Sequence, residues 1–136
     1  NAYATIANGG VKNNISLERI DELAIGNRVL SEQTSQTLLL MLEQVVERSA
    51  VRAQINGYRV GGKTGTAQIA AANYSQDAHN AIFVGIAPIS DPRIVVAVIV
   101  NEPQGREYYG GQVAAPIFAS IASRTLRLLG VAPDKI

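Results

Sequence analysis

Gly57-Tyr58-Arg59-Val60-Gly61-Gly62-Lys63-Thr64-Gly65-Thr66-Ala67-Gln68 is the stretch on which the fold turns. Glycine costs a helix roughly 1 kcal/mol per residue relative to alanine, and four glycines in these twelve residues leave a strand, beginning at Arg59, as the better reading. Alternate side chains on a strand share a face, so Thr64 and Thr66 project together while Lys63 points the other way. Gly65 removes a side chain where a ligand or a facing backbone must approach. If that edge of the strand is unpaired, the N–H of Thr66 is free to face a developing negative oxygen.

Working outward from this strand, residues 70–80 are polar and read as a loop. Residues 81–87 form a second strand, stopped by Pro88. A turn at Ser90-Asp91-Pro92 leads to residues 93–100, which are apolar on both faces, as expected of a central strand. Residues 103–111 read as a glycine-rich loop. A last helix is expected from Val113, with Pro116 in its first turn, a buried stripe of Ile117, Ile121, Leu128 and Leu129, and an end at Gly130 and Pro133.

On the N-terminal side, residues 1–8 read as the end of a helix closed by Gly9-Gly10, so the chain reads as a piece of a larger domain. Residues 11–22 read as extended, and Gly26-Asn27 as the turn of a small hairpin. Ser31 is a helix N-cap, with Glu32 in the first turn. Leu38, Leu42, Val45 and Val46 make one helix face that ends near Arg48, before a helical turn and loop over 49–57. The fold class is α+β: an antiparallel sheet of three main strands with helices packed on its face.

The chain has 136 residues, 47% hydrophobic but only 5% aromatic, so an aliphatic core is expected. A net charge of +1 without any basic stripe argues against nucleic acid. The absence of cysteine removes disulfides, thiolate catalysis and cysteine zinc sites. Residues 94–100, the longest apolar run, are too short to cross a bilayer.

Two chemistries compete for the glycine-rich strand. Residues 57–64 formally match the phosphate-binding pattern G-x-x-x-x-G-K-[ST]. That loop needs a buried strand before its first glycine and a helix from the lysine. Here Ala53-Gln54-Ile55-Asn56 is too short and polar, Gly65 opposes the helix, and Asn101 stands where an acidic magnesium ligand belongs. The other reading is the Lys-Thr-Gly strand of serine acyltransferases that attack peptides and β-lactams.

Several stretches in order strengthen this second reading: Ala2-Tyr3-Ala4-Thr5-Ile6-Ala7-Asn8-Gly9-Gly10, the twelve residues from Gly57, Val84-Gly85-Ile86-Ala87-Pro88, Asp91-Pro92-Arg93-Ile94, Tyr108-Tyr109-Gly110-Gly111 and Ala115-Pro116-Ile117-Phe118. Through them the chain resembles, over essentially its full length, the C-terminal part of the transpeptidase domain in class B penicillin-binding proteins of the division (septal) type. The resemblance implies a penicillin-binding, serine β-lactamase-like fold. The Thr64 and Thr66 hydroxyls would bind the carboxylate of a D-Ala-D-Ala stem peptide or of a β-lactam. The Thr66 N–H would be an oxyanion donor, and Lys63 would support the serine network. Gly65 and Gln68 would flank the substrate on the strand, and Tyr108, Tyr109 and Gly110 would wall its pocket. At position 68 division-type members often carry a basic residue, so Gln68 lacks that charge.

No cofactor or metal is implied. The implied partners are the nucleophile-bearing N-terminal half of the same domain, a membrane glycan polymerase and division proteins. The implied location is the periplasmic face of the bacterial inner membrane. The family's Ser-x-x-Lys and Ser-x-Asn patterns do not occur here: Ser16, Ser31, Ser35, Ser49, Ser75, Ser90, Ser120 and Ser123 all lack them. The nucleophile is therefore expected upstream and the isolated chain is expected to be inactive. A β-lactam sensor or an inactive homologue is the alternative that the missing half leaves open. Outside these motifs, His79 reads as a solvated loop residue, Glu43 and Glu47 as a solvated helix face, and Arg93 as the start of a strand.

Overall fold

The computed structural model describes residues 1–18, 26–69, 78–105 and 107–135. In chain order these form α1 (Ala2–Ala7), β1 (Val11–Lys12), β2 (Asn27–Arg28), α2 (Glu32–Arg48), a 3-10 turn (Val51–Ala53), β3 (Gly61–Gln68), β4 (His79–Ala87), β5 (Ile94–Asn101) and α3 (Gly110–Leu128). The three long strands make one antiparallel sheet in the order β3-β4-β5, with helices packed on both faces, which bears out the α+β reading.

Capping sets the start of α2. Ser31 keeps an extended backbone and its hydroxyl accepts the Thr34 N–H at 3.0 Å, while Glu32 adds negative charge to the first turn. Arg48 is the last residue of α2, where the periodicity placed the end. Its expected apolar face is half-correct. Leu38, Leu42 and Val45 are only half-buried, whereas Ser35, Leu39 and Val46 are buried. The reason is that α2 meets two neighbours. It crosses β3 at Gly61, where an added Cβ would lie 3.1 Å from Leu42 Cβ, and it leans on α1, where Ser35 Oγ donates to the Ile6 carbonyl at 3.0 Å.

The sheet register pairs Thr64 with Phe83 and Thr66 with Ala81, and then Phe83 with Val98. These residues face α3. Two glycines cut a channel into that face: at Gly85 an added Cβ would lie 2.5 Å from the Phe118 ring, and at Gly62 one would lie 2.5 Å from Phe83. Phe118 fills the channel and meets Phe83 at a centroid distance of 4.9 Å. Both rings are fully buried, so the centre of the core is aromatic despite the low aromatic content.

Several sequence expectations need correction. Among the described residues, 94–100 lie at one edge of the sheet and β4 is central; Ile99 is 66% exposed. Being apolar on both faces did not specify sheet position, because two successive hairpins put β4 between β3 and β5. Helix α3 starts at Gly110 rather than Val113, which leaves Pro116 inside it. Its buried stripe is Ala114, Ala115, Phe118, Ala122 and Leu126, while Ile117, Ile121, Leu128 and Leu129 are exposed. A channel shaped by glycines admits alanines and one flat ring closely, and Leu126 is the one branched side chain fully buried in the stripe.

At the N-terminal end, Asn27 pairs with Lys12, so Gly26-Asn27 is not a hairpin turn; residues 23–25 of that reading lie outside the described residues. The loop reading of residues 70–77 lies outside them as well, and His79 and Asn80 already belong to β4. Glu43 is not solvated: its carboxylate receives the Arg59 guanidinium through two bonds of 2.7 Å. That donation, ahead of the cost of burial, holds the Arg59 guanidinium above its ordinary pKa.

After α3 the chain returns to the start of β3. Tyr58 OH donates to the Val131 carbonyl at 2.6 Å. The Asp134 carboxylate accepts the Arg59 N–H at 2.7 Å and the Ser90 hydroxyl at 2.6 Å.

Candidate active site

Among the described residues strand β3 is paired on one side only, so its other edge is open. Thr64 and Thr66 share the α3 face of the sheet, and Lys63 and Gly65 pair with Val84 and Ile82 on the opposite face. The Lys63 amine nevertheless folds back along the strand, donating to the Thr64 carbonyl at 2.9 Å and lying 3.4 Å from the Thr64 hydroxyl.

The first turn of α3 lies directly over this strand. Gly110 donates its N–H to Thr66 Oγ1 at 3.3 Å, serving as the cap that the Tyr109 side chain does not supply. A Cβ on Gly110 would lie 2.1 Å from the Ile82 carbonyl oxygen and 2.5 Å from that of Gly65. A side chain there would push helix and strand apart. Glycine at 110 is thus a condition of the site's geometry.

Between helix and strand lies a cleft of about 370 Å³, lined by Thr64, Thr66, Tyr109, Gly110, Gln112 and Arg52, among others. Its walls hold the two threonine hydroxyls, the N-terminus of a nineteen-residue helix and a guanidinium, an electrostatic setting suited to a carboxylate. A groove of about 450 Å³ beside α1 is lined mainly by Ala2, Ile6, Val29 and Leu30 and offers no paired hydroxyls. Among the described residues no group of His, Asp or Glu gathers where a metal ion could be held.

The expected site residues divide accordingly. Thr64, Thr66, Tyr109 and Gly110 meet in the cleft, and Gly65 lies beneath Gly110. Gln68 is exposed at the far end of β3, paired with His79, and does not line the cleft. Tyr108 stands behind Tyr109, their rings 4.4 Å apart, and its hydroxyl donates to that of Tyr109 at 3.1 Å. This bond holds the Tyr108 phenol above its ordinary pKa.

Behind Tyr108, His79 stacks at 4.6 Å, so it is a half-buried strand residue and not a solvated loop one. A signal for it existed: it lies two residues before the apolar run of β4, close enough for the strand to extend over it, and it pairs with Gln68. Arg52 was missed entirely, because nothing in its local pattern links it to residues 107–112. The phosphate-loop alternative requires a helix from Lys63, and Lys63 is instead the third residue of β3.

With this geometry in place, comparison with known proteins gives one answer. The model of the penicillin binding protein transpeptidase domain matches residues 1–123. The chain is 38% identical to a probable peptidoglycan D,D-transpeptidase, PbpC, of Pseudomonas aeruginosa, covering 99% of this chain and 24% of that protein. It is 36% identical to the peptidoglycan D,D-transpeptidase FtsI of Escherichia coli, covering 98% of this chain and 23% of that protein. Among solved structures, the apo transpeptidase domain of Burkholderia pseudomallei penicillin-binding protein 3 superposes with a TM-score of 0.88 at 41% identity, over 99% of this chain and 42% of that one. The chain thus spans about a quarter of the length of these curated relatives. An open-edged Lys-Thr-Gly-Thr strand under a glycine-started helix, on a sheet that superposes this well, leaves no competing assignment: the chain belongs to the penicillin-binding protein transpeptidase-domain family.

Proposed function

We propose that this chain forms one wall of the active site of a peptidoglycan D,D-transpeptidase of the septal type, as the C-terminal part of its transpeptidase domain. The observation that carries the reading is the shared cleft of Thr64 and Thr66 on an open strand edge beneath the α3 N-terminus. The two hydroxyls bind the terminal carboxylate of a D-Ala-D-Ala stem, or the carboxylate of a β-lactam that imitates it. Lys63 and the α3 N-terminus lower the cost of that negative charge.

The nucleophile is a serine in the other half of the domain. Its oxygen attacks the penultimate D-Ala carbonyl, and the Thr66 N–H is one donor to the oxyanion that forms. Collapse of this intermediate breaks the peptide bond, and terminal D-Ala leaves with the proton taken from the serine. An amine of a neighbouring stem then attacks the acyl-serine, forming the cross-link and returning the proton to the serine. The Tyr108-Tyr109-Gly110 segment closes the pocket wall.

The septal assignment draws on the likeness to FtsI, and PbpC supports only the broader transpeptidase role. On this reading the protein works at the periplasmic face of the inner membrane with a glycan polymerase and division proteins. Labelling with a fluorescent penicillin tests it. The protein containing this chain should form a stable acyl adduct, and the isolated 136 residues should form none. A containing protein that resists acylation would sink the proposal.

A further inference from the structure

Pro116 lies inside α3 and has no N–H to offer the Gln112 carbonyl four residues earlier. That carbonyl is served from elsewhere: Arg52 Nη1 donates to it at 3.1 Å. The same nitrogen reaches Glu107 Oε2 at 3.0 Å. One guanidinium therefore ties together the turn after α2, the segment leading into Tyr108-Tyr109 and the first turn of α3. Arg52 and Gln112 both line the cleft that holds Thr64 and Thr66.

The arrangement is poorly explained as a stabilising device. The Arg52 and Glu107 side chains are 54% and 49% exposed, and such pairs contribute little to folding free energy. Its location suits a geometric role. A helix missing one hydrogen bond bends readily at that point, and here the bend would open between Gly110 and Thr66, which are joined by a bond of only 3.3 Å.

We propose that Arg52 is a positioning residue for this cleft: by satisfying the carbonyl that Pro116 leaves free, it fixes the distance of α3's first turn and the Tyr109 wall from Thr64 and Thr66. The role in acylation rests on the transpeptidase reading above; the role in positioning does not. Lysine would be a poor replacement, since its flexible ammonium lacks the planar guanidinium and the second nitrogen, which here reaches Glu107 Oε1 at 3.5 Å and helps to hold the first in place.

The test uses the whole protein that contains this chain, with Arg52→Ala, Arg52→Lys, Pro116→Ala and the double variant Arg52→Ala/Pro116→Ala. Alanine at 116 supplies the missing N–H, so it should make the Gln112 contact redundant. For fluorescent penicillin, Arg52→Ala should lower the second-order acylation constant about tenfold, chiefly through weaker reversible binding, with the melting temperature nearly unchanged. The double variant should recover most of the loss and Arg52→Lys only a small part. Amide exchange at Gln112 and Val113 should rise in Arg52→Ala and return in the double variant.

Unchanged exchange in Arg52→Ala, or a double variant no better than the single one, would overturn the positioning role. So would a loss of acylation that merely follows a loss of stability. If the unmodified protein takes no label, the transpeptidase reading fails, and the exchange measurements still decide the role of Arg52.

Discussion

The Phe118 ring occupies the space where a side chain at Gly85 would begin, 2.5 Å from the position of the absent Cβ. Helix and sheet meet closely enough at this point for one methyl group to be excluded. Gly85→Ala should therefore destabilise the fold by about 1–3 kcal/mol through overpacking. Chemical denaturation measures this. Pairing it with Phe118→Leu, which yields space, should cost less than the sum of the two single changes.

The bidentate Arg59–Glu43 pair joins the approach to β3 to α2, and the carboxylate side chain is only 13% exposed. Removing one partner strands the other in a partly buried site. Glu43→Ala and Arg59→Ala should each cost about 1–3 kcal/mol, and a double-mutant cycle should show favourable coupling of about 0.5–2 kcal/mol. Coupling near zero would mean that the pair is merely a surface contact.

Asp134 accepts hydrogen bonds from the Arg59 amide and the Ser90 hydroxyl. Asp134→Ala should lower stability by about 1–3 kcal/mol and speed exchange of the Arg59 amide specifically. An unchanged Arg59 exchange rate would contradict the hydrogen bond.

The Tyr108 phenol is held above the ordinary tyrosine pKa of 10.0 because it donates to Tyr109. Donation stabilises the protonated form, so its removal must lower the pKa. Tyr109→Phe should return Tyr108 toward the ordinary value in an NMR titration of the ring carbons, whereas Tyr109→Leu should also disturb the His79 resonances through the stack.

For the proposed chemistry, Thr66→Val removes both the carboxylate ligand and the acceptor of the Gly110 N–H. Acylation by a fluorescent penicillin should fall by about tenfold to a hundredfold in the protein containing this chain. Thr64→Val should lose less, since its hydroxyl caps no helix. Equal labelling of both variants and the unmodified protein would remove the two hydroxyls from the site.

How legible this site was depended on where each signal lay along the chain. Strand β3 and its paired threonines could be read directly, because glycine content and side-chain alternation are local properties. The cap at Ser31 and the end of α2 at Arg48 were equally local. Sheet order could not be read from residues 94–100, since apolar composition reports burial and not position. The stripe of α3 was misplaced because periodicity favours large side chains, whereas the groove of Gly62 and Gly85 selects alanine and one phenylalanine. Arg52 and His79 depend on contacts with residues 107–112 and 108, which no pattern near them in sequence announces.

The Asp134 clasp also bears on the order of events during synthesis. Asp134 lies 75 residues after Arg59. The hairpins of β3, β4 and β5 pair neighbouring segments and can form as they leave the ribosome, but the Arg59 amide and Ser90 must wait in water for a carboxylate that is synthesised well after the sheet. Until then the near end of β3 is only half secured. Arrival of Asp134, more than formation of the sheet, completes the hold on that end of β3.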